Sequence, residues 1–466
     1  MGSSPCDDAS LPPQPHVLLF PFMSKGHTIP LLYLARLLLR RGVAVTVITT
    51  PSNRPFIAQS LQPSSGAAII DLPFPETLPG IPAGGSGVES VDNLPSISLF
   101  FNFAMATQLL QPHFERLLHS LLPRVTFLVS DGFLWWTLDS ASKFGIPRFV
   151  FFGMSNYIHV VLEEVFNNND GPQTHNDELV SLTPFPWIRL CKDDLECLVL
   201  RSHTKTSTEF RKKVGSATAN SYGMIVNSFY ELEPLFIDYW NTEYSAPRTW
   251  CIGPLCLDQK VQYSKPKQAS WTQWLDQKLE DKCCVLYVAF GSQAEVSAEQ
   301  VREIASGLEE SKVNFLWVVR KKSEWEVVEG IEERVKERGM IVREWVDQRE
   351  ILMHESVEGF LSHCGWNSVL ESVCAGVPIL GFPLMAEQPL NARMVEEELK
   401  VGLRVEVEGG LVRKEELEKK VRELMEGEKG KEARKKVKEL AAMAEKAVEE
   451  GGSSWCTLET LIHETC

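Results

Sequence analysis

The chain alternates short, almost wholly apolar runs with longer segments of helical period. The runs fall at residues 16–22, 43–50, 67–74, 126–130, 147–152 and 223–229, with helical segments such as 30–41 and 134–144 between them. Runs this short, without polar alternation, predict strands buried on both faces, and their alternation with helices predicts a parallel sheet. After residue 254 the pattern dissolves into a polar, aperiodic stretch. A second series then begins at 283–290 and continues through 314–320, 340–345, 359–362 and 378–382. The chain therefore reads as α/β, with two Rossmann-like, doubly wound domains. The predicted boundaries are 1–254, a linker at 255–270, a second domain at 271–445, and a terminal helix at 446–466. Residues 413–450 are dense in Lys and Glu at helical spacing, which predicts a solvated helical face.

Polar clusters stand where the strands of the second series should end. Trp345, Val346 and Gln348 close or follow the run 340–345; His363-Cys364-Gly365-Trp366-Asn367-Ser368 follows 359–362; Glu387-Gln388 follows 378–382. In an open parallel sheet, ligands bind at the carboxyl ends of the strands, so these clusters describe one composite pocket. The cluster 363–368 opens a helical segment at 367–375. Free N–H groups and a partial positive charge at a helix start suit a phosphate, and Gly365 removes a side chain where the backbone must come close. Glu371 shares a face with Asn367 at i, i+4, which suits a pair of ribose hydroxyls. Trp345 offers a flat indole on which a base can stack, and Gln348 can reach a ribose or base edge.

In the first series, His27 lies just beyond the first strand, in Phe22-Met23-Ser24-Lys25-Gly26-His27, and Asp131 ends the run 126–130. A neutral imidazole near pH 7 is suited to taking a proton from a hydroxyl. Aromatic residues are frequent near these positions, including Phe22, Phe133, Trp135, Trp136, Phe152, Phe185 and Trp187. Many of them are expected to be core; the remainder predict an apolar, planar partner.

Bulk properties narrow the field. The 466 residues carry a formal net charge of −15, which argues against nucleic acid or anionic membrane as partner. A phosphate-bearing ligand must then be held by local backbone dipoles and not by a basic field. No run approaches a membrane span, and the first fifteen residues lack the basic and apolar regions of a secretory signal, so a cytoplasmic protein is expected. Eleven scattered cysteines, without Cys-x-x-Cys, read as reduced core thiols, none of them a nucleophile, disulfide partner or metal ligand. The Gly-rich run 80–87 does not join a strand to a helix, so it is no dinucleotide fingerprint. This disfavours a nicotinamide-dependent oxidoreductase on the same sheets.

The stretch 345–388 resembles the signature box of plant UDP-dependent glycosyltransferases, across the box's full length. Val346-Asp347 stand where that family more often has Ala-Pro. The resemblance implies a GT-B architecture with the donor UDP-sugar in the second domain, the acceptor in the first, and the terminal helix packed back on the first. It assigns His27 as general base and Asp131 as the group that orients it. It also adds Ser292, in Gly291-Ser292-Gln293, as a phosphate contact, and Gln388 as a pointer to UDP-glucose. The implied reaction is inverting transfer of glucose to a hydroxyl of a small aromatic or phenolic acceptor such as a flavonoid, giving a β-glucoside, with no metal or other cofactor and with a monomeric enzyme. Open alternatives are another UDP-sugar, a C- or N-linked or non-phenolic acceptor, and a non-catalytic nucleotide-sugar-binding protein.

Overall fold

The computed structural model describes residues 14–61, 66–81, 88–167, 179–191, 194, 204–244, 247–258, 269–291, 293, 296–319 and 322–465. Ser292, most of the linker and residues 82–87 lie outside the described residues. The first sheet is built from β1 (His16–Phe20), β2 (Ala44–Thr49), β3 (Ala68–Asp71), β4 (Phe127–Asp131) and β5 (Arg148–Phe152). A two-residue antiparallel pair follows, β6 (Val180–Ser181) and β7 (Arg189–Leu190), before β8 (Gly223–Val226) and β9 (Thr249–Cys251) complete the sheet. Its order is β3-β2-β1-β4-β5-β8-β9, parallel throughout.

The second sheet contains β10 (Val285–Ala289), β11 (Asn314–Val318), β12 (Gly339–Val342), β13 (Val357–Ser362), β14 (Ile379–Gly381) and β15 (Gly402–Arg404). It runs β12-β11-β10-β13-β14-β15, again all parallel. In each sheet the chain winds outward from the middle, returns, and winds the other way. The reversals lie between β1 and β4 and between β10 and β13, where a doubly wound sheet opens a crevice.

The apolar runs are continuous because both faces are covered. In β1, Leu18 and Phe20 enter one core while Val17 and Leu19 enter another. In β10, Leu286 and Val288 face one layer, and Val285, Tyr287 and Ala289 the other. The Lys/Glu-rich region forms two helices, Lys414–Glu426 and Glu428–Val448, whose buried faces are Leu417, Val421 and Leu424, then Ala433, Val437, Leu440 and Ala444.

Two local readings change. The strand expected at 340–345 stops at Val342: β12 is an edge strand whose one neighbour among the described residues, β11, ends opposite it at Val318. Trp345 is therefore in the connection beyond the strand. Asp347, standing where proline is more usual, has φ −76° and accepts the Arg349 N–H on its carboxylate as the N-cap of the helix Gln348–Leu352. The helix expected from residue 30 begins at Lys25 and runs to Arg40, with Pro30 inside it, so His27 belongs to a helical first turn.

The helix Ser453–Thr465 lies on the first sheet's side of the molecule. Leu458 and Leu461 join Val17, Leu19 and Trp250 in one core, and Glu459 pairs with Arg41, whose guanidinium also stands 5.0 Å from the Trp455 ring.

Candidate functional site

The carboxyl ends of β1 and β4 bring His27 and Asp131 together. His27 Nδ1 is 2.7 Å from Asp131 Oδ2; the carboxylate is fully buried and the imidazole a quarter exposed. Asp131 Oδ1 accepts the Phe133 N–H at 2.9 Å, which fixes the carboxylate's rotation. Behind it lies a fully buried guanidinium, Arg148, which donates to Ser130 Oγ at 2.8 Å, to Ser221 Oγ at 2.7 Å and to the Asp131 carbonyl at 3.4 Å. Burial alone would pull the His27 imidazole down. The charge and hydrogen bond of Asp131, with Glu387 and Asp92 in support, outweigh it and hold the pKa above the ordinary value. Because Nδ1 faces Asp131, Nε2 is the nitrogen left to work on a ligand.

Aromatic rings enclose this pair. Phe22 and Phe133 lie 5.5 and 5.0 Å from the imidazole. Phe133 packs in turn on Phe22, Phe100 and Phe210 at 5.4–5.6 Å. Phe100 and Phe210 come from helical segments that were silent in the sequence reading. Trp136 and Phe185 are core, and Trp187 is exposed, with its indole N–H 3.4 Å from Glu398.

In the second unit, the turn after β13 carries Cys364 at φ +61°, held by its own N–H to Ser362 Oγ and by Asn391, which donates to its carbonyl. That turn aims the start of the helix Trp366–Ala375 into the crevice. Gly365 is its N-cap, with no side-chain cap, so the first N–H groups are left to a ligand. His363 is wedged between two glycines: a Cβ at Gly291 or at Gly365 would lie 2.7 or 2.6 Å from its Nε2. Gln348 ties the site together by donating to Ser368 Oγ at 2.9 Å and to Glu371 Oε2 at 2.7 Å. Desolvation pushes the Glu371 carboxyl up to about 7, with Gln348 opposing. Trp345 presents a 64% exposed indole beside buried Val346. Gln388 is buried and its amide oxygen accepts from Leu384 and Met385 N–H groups, which shapes the loop that presents Glu387. Trp366 does something else: its indole is buried and donates to the Asn227 carbonyl at 2.8 Å, so what it offers to a ligand is its main-chain N–H.

The two crevices meet. Gln293 donates to Ser24 Oγ at 2.7 Å and to Asp92 at 3.1 Å, and Asn367 donates to the Gly26 carbonyl at 2.7 Å. Gln293, Asp92 and Asn227 were not anticipated; their bonds across the cleft span 139 to 269 residues in sequence, beyond any local pattern.

The family model described as "UDP-glucoronosyl and UDP-glucosyl transferase" matches residues 235–443. UDP-glycosyltransferase 90A1 of Arabidopsis thaliana is 53% identical over 465 residues, covering 97% of this chain and 96% of its own. This chain belongs to the UDP-glycosyltransferase family. Its fold is the GT-B arrangement of plant members. The Glycyrrhiza uralensis glycosyltransferase UGT73P12, solved with glycyrrhetinic acid 3-O-monoglucuronide, superposes with a TM-score of 0.85 at 31% identity, covering 97% of this chain and 96% of that one. Phytolacca americana UGT2, solved with UDP-2fluoro-glucose and pterostilbene, has a TM-score of 0.81 at 28% identity, with 97% and 99% covered. Among the described residues of this glycosyltransferase, no helix is long and apolar enough to cross a membrane.

Proposed function

We propose that this UDP-glycosyltransferase moves glucose from UDP-glucose to a hydroxyl of a small aromatic acceptor, a phenolic such as a flavonoid, with inversion to a β-glucoside. The observation that carries the reading is a His–Asp pair at 2.7 Å, walled by aromatic rings, on the same cleft as an uncapped helix N-terminus. His27 Nε2 takes the acceptor proton, the freed oxygen attacks the anomeric carbon, and the bond from that carbon to the phosphate oxygen breaks. Asp131 stabilises the imidazolium that results. The charge developing on UDP falls to the N–H groups at Gly365–Ser368 and to their dipole. Trp345 stacks on uracil, the Val346 backbone and Gln348 contact its edge, Glu371 accepts from the ribose hydroxyls, and His363 and Ser292 donate to phosphate. Glu387 and Gln388 bind the sugar hydroxyls. The partly exposed rings of Phe100 and Phe133, backed by the buried Phe22 and Phe210, suit a flat ring held against His27. The glucose-analogue and stilbene ligands named for the Phytolacca structure are chemically of these classes.

A UDP-release assay with UDP-glucose against a panel of phenols, with the product's anomeric configuration read by NMR, tests the reading. Acceptor-dependent release of UDP and a β-linked glucoside are expected. An α-linked product, or release only with another UDP-sugar, would overturn the corresponding part.

Two substitutions probe the donor half. Glu371→Ala removes hydrogen bonds to a charged acceptor and is expected to weaken UDP binding by about 10- to 100-fold, measured by calorimetry. With Glu371 titrating near 7 and ribose donating to its ionised form, wild-type affinity for UDP should rise as pH rises through that value. Affinity that is flat in pH, or unchanged in Glu371→Ala, would remove the ribose assignment. Gly365→Ala sets a Cβ against His363 and is expected to displace that imidazole, weakening UDP binding with little change in melting temperature.

A further inference from the structure

The first turn of the His27 helix is wired abnormally, and two of its irregularities, at Ser24 and at Gly26, are taken up by the opposite unit. Ser24 is the N-cap, yet its hydroxyl makes no cap bond and instead accepts from Gln293. The Lys25 N–H goes to Asp92 at 3.2 Å, and Asp92 also accepts from Gln293. In a regular helix the Gly26 carbonyl would accept the N–H of residue 30. Residue 30 is proline, which has no N–H and whose ring crowds that carbonyl. Asn367, on the first turn of the helix Trp366–Ala375, donates to the Gly26 carbonyl at 2.7 Å. The base, His27, is the next residue.

We propose that Pro30 is a positioning residue for sugar transfer: by leaving the Gly26 carbonyl without a helical donor, it lets Asn367 dock the turn carrying His27 onto the donor-binding helix. The two donor loops, after β10 and β13, thereby hold the base's turn at Ser24 and at Gly26. The base is set relative to the donor site and not only relative to its own sheet. A valine or alanine at position 30 restores an N–H one helical turn from Gly26, and the carbonyl can then be satisfied within its own helix. Asn367 then shares the Gly26 carbonyl with a helical N–H, and the tie across the cleft is weakened. Misplacing a reacting group by a fraction of an ångström to an ångström costs one to two orders of magnitude in rate.

The inference rests on His27 as the base, and a double-mutant cycle tests it separately from that reading. Pro30→Val, which keeps the apolar volume of this buried site, and Pro30→Ala are compared with Asn367→Ala and with the double variants. The readouts are kcat at saturation in both substrates, UDP affinity and melting temperature. The Pro30 variants are expected to fold, to bind UDP as wild type does, and to lose about 10-fold in kcat. The loss should vanish in the Asn367→Ala background, because there the carbonyl has no cross-cleft partner to lose. A Pro30→Val enzyme with wild-type kcat per folded molecule would overturn the proposal, as would a kcat loss that adds fully to that of Asn367→Ala. If instead His27→Ala keeps full turnover, the base assignment is what has failed, whatever Pro30 does. A Pro30 whose only role is packing would lower the melting temperature and leave kcat of the folded fraction unchanged.

Discussion

Replacing His27 with alanine is expected to lower kcat by about 1000-fold while UDP binding is retained, since general-base catalysis contributes two to four orders of magnitude. The loss falls on kcat because the proton is taken only as the acceptor oxygen attacks. A contact used equally by bound substrate and transition state would have raised KM instead. Some turnover should survive, because the helix N-terminus at Gly365–Ser368, proposed to receive the leaving diphosphate, is unchanged, and because both substrates are still held together. Parallel measurement of UDP release and UDP affinity separates the outcomes. Wild-type turnover in His27→Ala would assign the proton to another group, and loss of UDP binding would mean that His27 supports the donor half.

Asp131→Asn should lower kcat/KM by about 100-fold or more, by the logic of other His–carboxylate pairs. The 2.7 Å contact holds the proton on Nδ1 and leaves Nε2 as the acceptor. An asparagine amide can donate to Nδ1 and so favour the tautomer with Nε2 already protonated, which cannot act as a base. The pH profile carries a second signature with a definite sign. In the wild type, burial lowers the imidazole's pKa, but Asp131, Glu387 and Asp92 raise it further than burial lowers it. The base works only when neutral, so activity falls as pH drops through this raised value, above the ordinary 6.5. Without the Asp131 charge, burial prevails and the acid limb should move to lower pH. Glu387→Gln should move it the same way with the dyad geometry intact. An acid limb that stays put in Asp131→Asn, or moves upward, would show that the titrating group is not His27.

How far the chain could be read from its residues differs between the two halves of the site. The residues proposed for the donor half could be picked out together because they fall on three consecutive strand ends within a 44-residue stretch. A loop after a parallel strand must face the same crevice as its neighbours. The structure accordingly gathers Gln348, Ser368 and Glu371 into one hydrogen-bonded cluster. The roles of Trp366 and Gln388 were less legible: both sit in the motif, but the indole bonds the first unit, and the Gln388 oxygen shapes its own loop. The strand end at Val342 was missed because the run to Trp345 is apolar enough to continue, whereas its one neighbour among the described residues ends at Val318. Pro30 misplaced the start of the His27 helix, because proline favours a first turn and local pattern does not show one carbonyl being released to a distant amide.

What the sequence determined by itself was the alternation of elements, the parallel sense of both sheets, and the strand ends at which chemistry could sit. Those follow from hydrophobic period and from turn residues, which act over a few positions. Tertiary structure alone decided which ends meet. It set His27 against Asp131 across 104 residues, Asn367 against Gly26 across 341, and the rings of Phe100 and Phe210 around Phe133. Such contacts are selected by the packing of whole layers, in which a side chain's partner is whatever the opposing surface presents. No spacing along the chain encodes them.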